Sequence, residues 1–462
     1  MRDGTALAVA LPPRVAQVLN ALSVEGDEAV LVGGCVRDLV RGEQPIDWDV
    51  ATSMPPERVA ALFSGASWQN RFGTVTVRPV DAPAIEVTTY RVEGGYADRR
   101  RPDEVRWGRS LTDDLARRDF TINAMAWLPP AALDGPGRLV DPFAGAPDLE
   151  SCLLRAVGDP DERFAEDALR LVRAVRFASR FGLAIEPATE AAIIRHAPAV
   201  ASLSGERVRD ELLRILGSDA APPSVALRLM ERLGLLQPLL PELAALGGVP
   251  QAKRLPGDAL DHSLRTVDAL PAAYPLLRLA GLLHDLGKAT TLADGHFFDH
   301  ERVGAELAIV VLDRLRIPRA DAAHVARLVR EHMFAYLPEW TDAAVRRFVR
   351  RVGVDLLDDL FALRAADNAA SGVEEPPEGG LPELRRRVAA TLGRDALHPH
   401  QLAVDGHDLL AIGVPPGPRL GRLLDRLLEA VLDDPSLNDR QRLLDVARTW
   451  AADDPGGADT HR

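Results

Sequence analysis

Cysteine is nearly absent from this chain. Cys35 and Cys152 are its only two in 462 residues, which excludes a disulfide framework and points to a reducing interior, the expected compartment being the cytoplasm. Lysine is as scarce: of 55 basic residues only Lys253 and Lys288 are lysine. Positive charge therefore rests on arginine, whose planar fork suits phosphate, although a GC-rich coding bias accounts for most of that preference. No apolar run approaches the roughly 20 residues that span a bilayer, and the stretch from Ala6 to Leu11 is closed by Pro12 and Pro13, so the chain reads as soluble and uncleaved, with no membrane partner. A basic excess is missing too, the net charge being -13, which taken as a total argues against a nucleic-acid partner.

What is present is globular: 47% hydrophobic and 27% charged residues exclude wholesale disorder, and the length suggests roughly three domains. The acidity is unevenly placed. Residues 352–462 hold 12 basic and 20 acidic side chains, whereas residues 163–214 hold nine arginines against seven acids. The total therefore does not exclude RNA; it predicts a narrow arginine-lined track and a tail that avoids phosphate.

Residues 14–25 read as a short amphipathic helix and Ala29 to Val32 as a strand, with further strands around Trp48 to Ala51, Thr74 to Val77 and Ile85 to Thr89. From Ser151 onward leucine, alanine and arginine recur at helical spacing. The expected fold class is α+β: an N-terminal mixed sheet with helices, then an all-α remainder. Pro- or Gly-rich breaks at Ala221–Pro223, Gly247–Gly257 and Glu374–Pro382 are linker candidates. The segment from Ala403 to Ala447 reads as amphipathic helix.

Gly33 and Gly34 end the first strand and open a helical pattern, where bare backbone and a helix N-terminus admit phosphate. Such a pair alone is more often a turn. Asp47 and Asp49, two apart on a strand, project together, either as a solvated strand face or, since paired carboxylates are costly without a cation between them, as hard oxygen ligands that suit Mg²⁺. Glu86, in Ile85-Glu86-Val87, completes the cage from a neighbouring strand or is an exposed edge residue.

These residues carry a resemblance. Gly33-Gly34 with Val36-Arg37-Asp38, Asp47-x-Asp49, and Arg117-Arg118-Asp119-Phe120-Thr121-Ile122-Asn123 resemble the head of class II CCA-adding tRNA nucleotidyltransferases and bacterial poly(A) polymerases. Asp141-Pro142-Phe143-x-Gly145 is similar to the third motif of that family. Glu166-Asp167-x-x-Arg170-x-x-Arg173-x-x-Arg176-Phe177 is similar to the fourth, and Ser204-Gly205-Glu206-Arg207 with Glu211 to the fifth. The resemblance implies two-metal nucleotidyl transfer from CTP and ATP to a tRNA 3′ end, releasing pyrophosphate. It places Mg²⁺ on Asp47 and Asp49, the triphosphate on Gly34, Arg37 and Arg118, and the ribose on Asp119 with Asn123. Asp167 and Arg170, on one helix face, would read the incoming base as a protein template, Arg173 and Arg176 would lie near triphosphate or primer, and Glu206-Arg207 would brace the helix. The glycine-rich, charged segment from Tyr90 to Pro102 reads as a mobile loop, associated in the family with the switch to adding A.

Farther on, Asp261-His262, His284-Asp285, His300-Glu301, His332 and Asp367 are spaced through helical sequence. Imidazoles and carboxylates suit a one- or two-metal hydrolytic site, with a divalent transition metal as cofactor. Their order resembles the HD-superfamily phosphohydrolases, which implies His262, His284, Asp285 and Asp367 as ligands and His300 and His332 as additional ones. The domain reading is then residues 1–150 as nucleotidyltransferase head, 151–250 as a helical nucleotide and RNA-binding region, 258–372 as an HD-type helical domain and 382–450 as a helical tail. Against CCA addition stand a poly(A) polymerase, an enzyme that adds only A beside a separate CC-adding one, a protein that is chiefly an HD phosphohydrolase, and a non-catalytic RNA-binding scaffold, which would have no need for either acidic constellation.

Overall fold

A computed structural model describes residues 3–24, 26–68, 73–78, 84–94, 104–108, 110–130, 135–251, 253–374 and 380–453. The chain divides into two compact units, one of Met1–Ala244 with Arg314–Ile317 and one of Ala245–Asp313 with Pro318–Arg462.

The first unit is built on an eight-stranded sheet: β1 (Ala6–Leu7), β2 (Ala29–Val32), β3 (Asp49–Thr52), β4 (Ser67–Trp68), β5 (Thr74–Val77), β6 (Ile85–Thr89), β9 (Ala126–Leu128) and β10 (Gly137–Val140). Its order is β1-β10-β9-β2-β3-β6-β5-β4. Every pairing is antiparallel except β3 with β6, which run parallel with Asp49 opposite Glu86. β-Branched alternation divides the sheet into two apolar faces. Leu31, Val50, Val87 and Trp127 pack against Val15, Leu19 and Leu22 of α1 (Pro13–Val24), Val36 of α2 (Gly34–Val40) and Val59 of α3 (Pro56–Leu62). The opposite face packs Val30, Val32 and Ala51 against Tyr90 and against Leu115 of α4 (Leu111–Ala116). Asp49 shares its parity with Ala51, so it emerges on that second face at the open end of the sheet.

The segment read as a loop from Tyr90 to Pro102 begins instead as a strand: β7 (Arg91–Gly94) pairs antiparallel with β8 (Glu104–Trp107). Alternating Val92, Val105 and Trp107 carry β propensity that the surrounding glycine and charge obscured. Residues 95–103 lie outside the described residues.

Helices follow: α5 (Gly145–Glu150), α6 (Pro160–Glu166), α7 (Leu169–Phe181), α8 (Pro187–His196), α9 (Gly205–Leu216) and α10 (Pro223–Arg232). α7 buries Leu171, Val172, Val175 and Ala178 and stops at Gly182, whose φ of 64° closes the helix in the left-handed conformation. The break at Pro222 and Pro223 is the first turn of α10, where proline's fixed φ is favourable, and no linker.

Among the described residues, the regular structure of the second unit is helical apart from the two-residue strands Leu292–Ala293 and His296–Phe297. Its main elements are α11 (Ala259–Ala269), α12 (Pro275–Leu283), α13 (His300–Arg314), α14 (Arg319–Glu331), α15 (Leu357–Ala370) and α16 (Pro418–Asp433). The stretch from Ala403 to Ala447 is several helices, because Gly413 and Gly417 at positive φ interrupt it. Leu409, Leu423, Leu427 and Leu428 there are buried.

Candidate active site and metal centre

The parallel register of β3 and β6 sets Asp49 beside Glu86. Asp47 stands in a bend before β3 rather than on the strand and is exposed, so the same-face argument from strand periodicity fails for it; it nevertheless lines the same cavity, of about 610 Å³, as Asp49 and Glu86. Burial pushes the Asp49 carboxyl above its ordinary value; Arg118 opposes this, and the carboxylates of Glu86 and Asp47 add to the rise. A cluster of hard oxygen donors that repel one another fits a divalent cation.

Arg118 faces this carboxylate wall. Its Nη2 donates to Asp114 Oδ2 at 3.2 Å, and a Cβ on Gly33 would lie 2.7 Å from its Nη1. Gly33 has φ 73°, so both backbone and space require glycine there. Asp114 is 1% exposed and also takes Arg117 Nη2 at 2.5 Å. Sequence reading passed over it, although its spacing from Arg118 is that of an i,i+4 helix pair.

Arg37 of α2 is buried, donating from Nη1 to Asn123 Oδ1 at 2.7 Å and from Nε to Asp38 at 2.9 Å. Asn123 Nδ2 in turn donates to Asp119 Oδ1 at 3.1 Å, and Arg173 Nε to Asp119 Oδ2 at 2.8 Å. Burial works against the Asp119 charge, yet Arg173 and Asn123 outweigh it and hold the carboxyl at about 2. The third motif supports this turn. Asp141 accepts Gly145 N at 2.7 Å and Ala146 N at 2.9 Å at the start of α5, and Asp148 of that helix accepts the Thr121 hydroxyl at 2.7 Å.

Asp167 does not lie on the helix with Arg170. It has φ -150° between α6 and α7, where its Oδ1 accepts Leu169 N at 3.0 Å, a local bond that competes with helix. Arg207 grips both its oxygens, at 3.0 and 2.6 Å. Arg170 donates to Glu166 at 2.5 Å and to the backbone carbonyl of Arg117 at 2.9 Å. Arg176 is buried with its Nε 2.5 Å from Glu211 Oε2. The brace from α9 is thus Arg207 and Glu211; Glu206 is exposed, one position off the face that α9 buries. All these arginines, with Asp119 and Asp167, line the cavity that holds the acidic wall.

The second unit gathers its histidines at helix ends. His284 and His332 follow the last residues of α12 and α14, and His300 opens α13; each Nδ1 lies 2.6–3.0 Å from the carbonyl three residues earlier, in Gly281, Val329 and Phe297 respectively. That bond turns each Nε2 inward. His262 Nε2 lies 3.2 Å from His284 Nε2, 3.0 Å from Asp367 Oδ1 and 3.5 Å from Asp285 Oδ2. The other Asp285 oxygen is 3.5 Å from His300 Nε2 and 3.7 Å from His332 Nε2. His300 Nε2 is buried without a hydrogen-bond partner. Burial drives the His332 imidazole down to about 3, keeping it neutral, while Asp285 stays ionised well below the carboxylate range despite its burial, through His284 and Lys288. Imidazoles, two carboxylates and an orphaned ring nitrogen fit a divalent metal.

Family models match along the whole order of the chain. Residues 29–155 match the poly(A) polymerase head domain, 182–246 a probable RNA- and SrmB-binding site of polymerase A, 260–372 the HD domain and 394–447 a putative second domain of tRNA nucleotidyltransferases. An A-adding tRNA nucleotidyltransferase from Deinococcus radiodurans is 37% identical over 93% of this chain and 96% of its own length. The chain belongs to the class II CCA-adding tRNA nucleotidyltransferase family. A CCA-adding enzyme of this family from Geobacillus stearothermophilus is 34% identical over 92% of the chain and 94% of its own. The crystal structure of the Bacillus stearothermophilus CCA-adding enzyme in complex with CTP superposes with a TM-score of 0.71 at 29% identity, covering 96% of this chain and all of that one. Both the α+β head and the helical HD-bearing remainder are thus those of the class II family. No helix among the described residues is long and apolar enough to cross a membrane.

Proposed function

We propose that the head cleft transfers nucleotidyl groups from CTP and ATP to the 3′ end of tRNA, building CCA, in the cytoplasm. The observation that carries this reading is a single cavity lined by Asp47, Asp49 and Glu86 together with Arg118, Asp167 and Arg170. Mg²⁺ held by the carboxylates, when bound, supplies charge neutralisation at the α-phosphate and at the two oxygens that exchange on it.

The remaining work falls to the chain. Gly33 and Gly34 bring backbone close to the triphosphate, and Arg118, held by Asp114, aims its cation at the phosphates. Asp119 and Asn123 accept and donate to the ribose hydroxyls, favouring a ribonucleotide. Asp167 offers acceptor oxygens and Arg170 donor nitrogens to the edge of C or A, while G and U present a mismatched pattern. Arg173 and Arg176 carry positive charge along the wall toward the primer. In the second unit, His262, His284, Asp285 and Asp367, with His300 and His332 as additional ligands, would hold a divalent transition ion, which would supply Lewis-acid chemistry for phosphoester hydrolysis.

A second reading, addition of A alone to a tRNA already ending in CC, is favoured by the identity to the Deinococcus relative. The test offers tRNA lacking its CCA, and tRNA ending in CC, with CTP and ATP singly and together. CCA addition requires both substrates to be completed; extension of the CC-ended tRNA alone selects the second reading, and no incorporation overturns both.

A further inference from the structure

A chain that uses arginine almost everywhere keeps lysine at two positions, and both reach the same buried centre. An ammonium is compact and donates in three directions, where a guanidinium is wide and planar, so the two positions select for a group that fits between metal-ligand atoms. Lys288 is enclosed: its Nζ lies 2.6 Å from Asp285 Oδ2 and 3.1 Å from Gln251 Oε1, and 5.3 Å from the centre of the Phe297 ring. Lys253 is the more open, its side chain 21% exposed. Its Nζ lies 2.7 Å from His262 Nε2 and 3.3 Å from Asp367 Oδ1. These are the atoms that His262 and Asp367 turn toward the centre.

Charge points the same way. Asp285 and Asp367 face three cations, Lys253, Lys288 and Arg364, the last with Nη1 2.9 Å from Asp367 Oδ2. Glu301, 3.5 Å from His300 Nδ1, brings the carboxylates to three, so the side chains balance before any metal enters, and each divalent ion adds two positive charges to a centre of low exposure. Such an excess calls for an anion.

On the metal-centre reading above, we propose that Lys253 is a displaceable ammonium. It occupies the metal-facing atoms of His262 and Asp367 until a divalent ion takes them, and then turns its charge to the phosphoryl oxygens of the molecule bound at that ion. Lys253 is thereby a substrate-binding residue of the hydrolytic centre, selecting phosphate-bearing ligands.

The two halves predict shifts of opposite sign in one variant. Full-length Asp49→Ala chain, which weakens the competing carboxylate site of the head, is stripped with chelator and titrated with Co²⁺, the visible spectrum reporting histidine ligation; inorganic phosphate is then titrated into the loaded protein. Adding Lys253→Met should tighten Co²⁺ about tenfold and weaken phosphate by about tenfold, the range typical of groups beside a metal. Lys253→Gln, which keeps a donor but no charge, should shift both in the same directions, and thermal unfolding identifies whichever variant is folded. A merely structural lysine would lower both affinities, so Co²⁺ binding that is weakened or unchanged, or phosphate binding that is unchanged, overturns the proposal. Failure of the Asp49→Ala chain to bind Co²⁺ through histidine overturns the metal-centre reading itself, and the proposal with it.

Discussion

Arg207 of α9 closes a two-pronged ion pair on Asp167, Nη1 to Oδ1 at 3.0 Å and Nη2 to Oδ2 at 2.6 Å. The residue assigned to reading the base is therefore oriented by a partner 40 positions away. A bidentate Arg–carboxylate pair fixes direction as well as charge.

Arg207→Ala should loosen the template while leaving the phosphate side of the cleft intact. The expected outcome is a loss of discrimination against UTP and GTP of about tenfold, on the scale of one charge-assisted hydrogen bond. Measured kcat/KM for the four nucleotides checks it; an equal fall for all four would contradict it.

Asp49→Ala removes the carboxylate set beside Glu86 by the parallel register. Nucleotide incorporation should fall about a thousandfold or more, several kcal/mol of transition-state stabilisation, while circular dichroism stays native. Retained incorporation would remove Asp49 from the mechanism.

Gly33→Ala places a Cβ 2.7 Å from Arg118 Nη1 at φ 73°. The left-handed backbone costs about 1–2 kcal/mol, and Arg118 must also retreat from the cavity. Stability should drop by that amount and KM for ATP and CTP should rise, read by urea unfolding and steady-state kinetics.

Asp119, held at about 2 against an ordinary 3.8, stabilises the fold only while it is ionised. A depressed carboxyl contributes fully above its unfolded value and loses the contribution as pH falls toward the folded one. The stability gap between wild type and Asp119→Asn should therefore stay constant from about pH 8 to 5, at about 2 kcal/mol, and narrow below about pH 4. A gap that widens as pH falls would contradict this.

That the acidic residues, the arginine motifs and the six histidines and aspartates of the second unit each gather in one place was legible because each sits in a short segment whose chemistry is costly without a ligand. What escaped were relations set by tertiary structure. Asp167 reads as helical by counting every third residue, but its own carboxylate caps Leu169 and breaks the helix there. Asp114 carries no local signal beyond its place in the first turn of α4, yet it anchors Arg117 and Arg118. Arg207 and its neighbour Glu206 are indistinguishable by charge spacing; only the face that α9 buries separates them. The parity of Asp49 with Glu86 needed the parallel pairing of β3 with β6, which no local pattern encodes.

The most direct measurement is sequencing of the product formed when the purified chain, Mg²⁺, CTP and ATP meet tRNA that lacks its three terminal nucleotides. Two C followed by one A, with extension then ceasing, is the predicted result. A long tract of A, A added only to transcripts already ending in CC, or no added nucleotide would contradict CCA addition.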